Sequence, residues 1–110
     1  MMWYESIYYS DNIKEKEKNK IIKKINKNKY PKDIYCLCLT NKVNFQLEIL
    51  ETKELKKEKE KMDLKIIGIA KGKEEAFELT KIIVQEIYEK TRKVIFKEYF
   101  KFGEHNEKVC

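Results

Sequence analysis

The stretch DLKIIGIAKGKEEAFEL, residues 63–79, decides how the chain is read. An apolar run, LKIIGIA, leads through two glycines and a lysine into a pattern with helical spacing. That order has two readings, a phosphate-binding loop or a plain turn between a strand and a helix. A P-loop needs G-x-x-x-x-G-K-[ST], so that backbone N–H groups can wrap a phosphate. Here three residues separate Gly68 from Gly72, and Glu74 stands where a magnesium-binding hydroxyl belongs. The G-x-G-x-x-G dinucleotide turn is not matched either. Glu74 and Glu75 fall in the first helical turn, where they favour the helix dipole and repel phosphate. The reading is therefore a turn. Gly68 suits close packing or a bulge inside a strand, and Gly72 suits a positive φ at its exit.

Beyond this turn, residues 73–90 read as the best helix in the chain. Ala76, Leu79, Thr80, Ile83 and Ile87 form its core stripe, and Phe77, Val84 and Tyr88 form a second apolar row. The run KVIFKEYFKF, residues 93–102, alternates and reads as a strand. Upstream, TKELKKEKEKM mixes charge signs and reads as a short solvated helix or a connection. Phe45, Leu47 and Ile49 alternate with Gln46, Glu48 and Leu50, which suits a strand, although the same spacing can start a helix. IYCLCLT, residues 34–40, is an unbroken apolar run fit for a covered strand. Near the N-terminus, residues 2–9 are aromatic and β-prone. Ser10, Asp11 and Asn12 offer caps for a helix carrying Ile21, Ile22 and Ile25, which Pro31 brings to a close.

Reduced to its clearest elements, the order is βαββαβ. It predicts an α+β domain of the ferredoxin-like type spanning 1–102, with an antiparallel sheet and two main helices on one face. A further strand or short helix lies near 43–61, and a polar tail covers 103–110. A three-layer α/β sandwich is the competitor.

Chain length and composition limit the function classes. The 110 residues suffice for one domain, and 42% hydrophobic residues supply a core despite 40% charged ones. The net charge of +6 permits an anionic partner, but Arg92 is the single arginine. Arginine is the usual reader of guanine edges, so sequence-specific DNA reading is not expected. Three cysteines make no disulfide framework. Cys36 and Cys38 read as small buried hydrophobes, and zinc would have to borrow His105 and Cys110 from the tail, so no metal is expected. MMWYESIYYSD lacks the basic and apolar regions of a leader, and no run is long enough for a membrane span. The expectation is a cytoplasmic protein without a cofactor. No reactive group has an activating partner at usable spacing, which points away from an enzyme.

A ferredoxin-like sheet would leave one face bare. Strand alternation places Ile67 and Ile69 on that face, joined by Ile95 and Tyr99 from the last strand. Such a surface predicts self-association or a protein partner, most simply a homodimer. The alternative is single-stranded RNA, with Tyr99 stacking a base and Lys65, Lys97 and Lys101 holding phosphate. An aromatic-rich RNA-recognition run is missing, since isoleucines stand where rings belong. The pattern LKIIGIAKGKEEAFELTKIIVQEIYEKT…FKEYF also resembles small bacterial α+β proteins of unknown function. The resemblance covers about the last third of the chain through a strand–turn–helix, and it implies no activity and no site residue.

Overall fold

Four strands and four helices follow the chain in the computed structural model, which describes residues 2–40, 47–58 and 64–100. They are β1 (Met2–Tyr9), α1 (Glu15–Asn26), β2 (Ile34–Leu39), β3 (Leu47–Glu51), α2 (Thr52–Glu58), β4 (Lys65–Lys71), α3 (Lys73–Thr91) and the single turn α4 (Phe96–Tyr99). The strands form one sheet in the order β1-β4-β2-β3. β1 runs parallel to β4, whereas β2 is antiparallel to both β4 and β3. The fold is thus α+β with a mixed sheet. The strand order and the parallel pair depart from the expected antiparallel ferredoxin-like arrangement.

Helices cover both faces of this sheet. On one face Cys36, Cys38, Ile66 and Ile69 pack with Ile21 and Ile25 of α1 and Leu55 of α2. On the other, Leu37, Leu39, Ile67 and Ala70 pack with Ala76, Leu79, Ile83 and Ile87 of α3, and with Phe100 just past α4. Both central strands are therefore enclosed on two sides, which is why they read as continuous apolar runs rather than alternating ones. The single bare face expected from the sequence does not form.

The register explains where the sequence reading slipped. Leu37 pairs with Gly68, but its neighbour Cys38 pairs with Ile66, so β4 takes two steps where β2 takes one. This bulge turns both Ile67 and Gly68 towards α3. The phase then resumes one residue out of step, with Ile69 facing α1 and Ala70 facing α3. Ile67 and Ile69 lie on opposite faces, not together. Gly68 makes the bulge affordable: a Cβ there would sit 3.3 Å from Leu79 Cδ2 and 3.5 Å from the Tyr8 carbonyl oxygen. β1 has its own irregularity opposite the same point, taking five steps from Trp3 to Tyr8 against two along β4.

Local chemistry sets the remaining boundaries. Gly72 adopts φ 99°, the left-handed region that the turn reading requires, and its amide donates to the Asp33 carbonyl at 2.8 Å. Arg92 closes α3 in the αL conformation. The charged segment after β3 is helical over α2, where Glu54 accepts from the Glu51 amide at 2.8 Å and Leu55 is fully buried. The predicted last strand is instead a helical turn over Phe96–Tyr99. Phe96 and Phe100 are four apart, a spacing that matches period 2 and a helical turn equally, and the period alone misplaced it. The second apolar row of α3 is not core, since Phe77 and Tyr88 are about half exposed, at 47% and 50%. Residues 41–46 and 101–110 lie outside the described residues. So do the expected roles of Phe45, Lys101, His105 and Cys110.

Candidate nucleic-acid interface

Among the described residues, those expected to carry function are not brought together. Ile67 and Ile69 are fully buried on opposite sides of the sheet. Ile95 is 38% exposed in the link between α3 and α4, so these isoleucines form no common patch. Tyr99 is half-buried and stands edge-on to Phe100 at 5.1 Å between ring centres. Lys65 opens β4, paired with Met2 and Leu39 on the two flanking strands. The side chain of Lys97 and all of Lys101 lie outside the described residues.

Tyr99 belongs to a clasp that fastens α4 onto α3 and β1. The Tyr8 hydroxyl donates to Glu86 Oε2 at 2.7 Å, and Lys90 Nζ reaches Glu86 Oε1 at 3.3 Å. Phe100 stands edge-on to Tyr4 at 4.9 Å and to Tyr8 at 6.2 Å. Burial first, then the Glu86 carboxylate, pushes the Tyr8 hydroxyl well above its ordinary pKa. Hydrogen bonding to Tyr99 and Glu86 raises that of Lys90. These groups satisfy one another, which makes the cluster a structural tie.

Cys36 and Cys38 form no disulfide and are buried on the α1 face. Burial pushes the Cys36 thiol up to about 12, so it is a poor nucleophile and metal ligand. Among the described residues no three His, Cys, Asp or Glu side chains gather as a metal site, and no helix is long and apolar enough to cross a membrane.

The distribution of charge is the most distinctive feature of the surface. Between Lys14 and Lys32 the chain carries nine lysines and two glutamates. That excess of seven exceeds the whole chain's +6, so the remainder is close to neutral. A lysine-rich composition alone would have spread these cations along the chain. Instead α1 turns Ile21 and Ile25 into the core and leaves Lys16, Lys20, Lys23 and Lys24 in solvent.

One flank of α1 is concave. A groove of about 510 Å³ runs between α1, the Pro31–Ile34 segment and the end of β4. Lys14, Lys16, Lys20, Lys24, Lys32 and Lys71 line it, over Ile21, Pro31 and Ile34. Its far wall is held by a polar clamp. The Ser10 hydroxyl accepts from the Lys71 amide at 3.1 Å and donates to Asn12 Oδ1 at 2.6 Å. Asn12 Nδ2 in turn donates to the Lys71 carbonyl at 2.9 Å. Ser10 and Asn12, expected as helix caps, serve this clamp, and α1 begins later with Lys14 as its N-cap. The clamped backbone sends the Lys71 ammonium across to Glu17, 3.3 Å away. That hydrogen bond, together with one from the Lys14 amide, holds the Glu17 carboxyl below its usual range. Among the described residues Lys71 is the one of the six lysines held in an ion pair.

The sequence reading places its nucleic-acid candidates on the sheet and none on α1, which it takes only as the helix carrying Ile21, Ile22 and Ile25. A segment-by-segment charge count would have found the helix. The convergence of Lys32 and Lys71 with it would not have been visible. Compared with known proteins, the chain matches no family model, no curated protein and no solved structure.

Proposed function

We propose that this protein binds nucleic acid through the phosphate backbone, using the lysine face around α1, and does so without a catalytic step. The carrying observation is the segregation of nine lysines and two glutamates into one helix, its N-cap and its exit loop. Lysine is a point charge that attracts phosphate without reading base edges, so affinity is set by charge and not by sequence. The test is fluorescence anisotropy with a labelled mixed-sequence oligonucleotide at several salt concentrations. About four phosphate contacts on a single strand give a slope near −2.8 in log K against log salt. Affinity then weakens about 50-fold between 50 and 200 mM. No binding at 50 mM salt, or binding that ignores salt, ends the reading.

A second reading keeps a protein partner but moves the contact to α3, where Phe77 and Tyr88 stand half exposed on the outer side. Sedimentation at micromolar concentration, with Phe77→Ser and Tyr88→Ser as controls, tests it. A monomer at all concentrations removes a homodimer.

A further inference from the structure

We infer that the ligand of the basic groove is a single strand of nucleic acid whose backbone lies between α1 and Lys32 and Lys71 opposite it. This rests on the proposed function and narrows it. Cations line the groove from three segments: Lys14, Lys16, Lys20 and Lys24 come from the first helix and its cap, Lys32 from the loop before β2, and Lys71 from the end of β4. A groove of about 510 Å³ is too small to seat the whole cylinder of a duplex with its two rows of phosphates. A concave channel lined with cations instead tracks one flexible backbone. Pro31, partly exposed on the floor, offers an apolar surface to an unstacked base, and a duplex keeps its bases away from such a surface.

Glu17 is the counter-charge inside this groove. Its ion pair with Lys71 occupies the ammonium that the strand would use, so phosphate competes with a carboxylate. Glu17→Gln keeps a side chain able to accept from the Lys14 amide, and so preserves the start of the helix. It removes the competing charge.

The experiment compares anisotropy titrations of labelled oligothymidylate and a duplex of the same length at 50 mM salt, using three folded variants. Lys20→Glu with Lys32→Glu reverses charge inside the groove. Lys23→Glu with Lys27→Glu makes the same charge change at exposed positions outside it. The groove pair is expected to lose about tenfold or more in single-strand affinity, and the outer pair about threefold or less, because backbone contacts dominate such binding. Glu17→Gln is expected to gain severalfold, and the duplex to bind more weakly than the single strand. Equal losses from the two pairs, or a duplex bound as tightly as the single strand, overturn the groove assignment while backbone binding stands. No binding of either oligonucleotide by the wild type overturns both.

Discussion

Ile67 and Ile95 look alike in the sequence, and truncating each measures what the fold has done with them. Ile67 has no exposed surface and packs between β4 and α3, in one cluster with Leu37, Leu39 and Ile83. Ile67→Ala removes three carbons, at roughly 0.8 kcal/mol each for lost burial, or about 2.4 kcal/mol. A residual cavity of some tens of Å³ adds about 1 kcal/mol at ~24 cal/mol per Å³. The expected cost is about 3 kcal/mol, a large share of the ~5–15 kcal/mol typical of a domain. Ile95 is 38% exposed, so Ile95→Ala should cost less than about 1 kcal/mol. Urea unfolding followed by circular dichroism, with unchanged slope, reads both. At roughly 4–8 °C per kcal/mol for a domain of this size, the thermal midpoint of Ile67→Ala should fall by about 12–24 °C. Equal small losses from the two variants would refute the enclosure of Ile67. So would a midpoint that rises with protein concentration in the wild type but not in Ile67→Ala. That pattern would place the side chain at an interface between copies.

Both glycines of the opening stretch give separate tests. Gly72→Ala forces a side chain to φ 99° and should cost about 1 kcal/mol or more, read by the same urea midpoint, although nothing lies within 4 Å of the new methyl. Gly68→Val should cost about 1–3 kcal/mol for the opposite reason, because its branches press on Leu79 and Leu37. Burial raises the Cys36 thiol to about 12, so the folded state holds this proton more tightly than the unfolded chain, whose thiol titrates near 8.5. That contribution is complete below about pH 8.5 and fades as pH rises towards 12. The urea midpoint should decline from pH 8 to 9.5 in the wild type and less in Cys36→Ala. Tyr8→Phe removes the hydroxyl that donates to Glu86 and should cost about 1.5–3 kcal/mol, since the acceptor is charged. A thermal melt of this variant with no change would show that the clasp on α4 does not depend on it.

Much of the local structure was legible because it depends on near neighbours in the chain. The core stripe Ala76, Leu79, Ile83 and Ile87 follows helical spacing and is buried as read. Ile21 and Ile25 behave likewise in α1. The missing P-loop spacing pointed to a turn, and Gly72 makes one with a positive φ. The excess of lysines over acids from 14 to 32 is equally a property of the sequence. What it becomes on a surface is not.

The tertiary structure alone decided which side of the sheet each element meets. Periodicity assigns alternating sides only while the phase is unbroken, and the bulge at Ile67 and Gly68 breaks it through a pairing with Leu37, some thirty residues away. One inserted step moved Ile69 to the face opposite Ile67 and removed the patch they were expected to share. The choice of opposite faces for α1 and α3 has the same origin, because a helix stripe states that it is buried and not against what. Phe96 and Phe100 satisfied two periods at once, and packing of Phe100 against Tyr4 and Tyr8 accompanies the helical one. The groove needed all of this: Lys20, Lys32 and Lys71 are spread over fifty residues and meet only because β4 lies beside β2, whose approach carries Lys32, and because the Ser10–Asn12 clamp ties the end of β4 to the start of α1. Composition set the amount of positive charge, and long-range pairing gathered it along one channel.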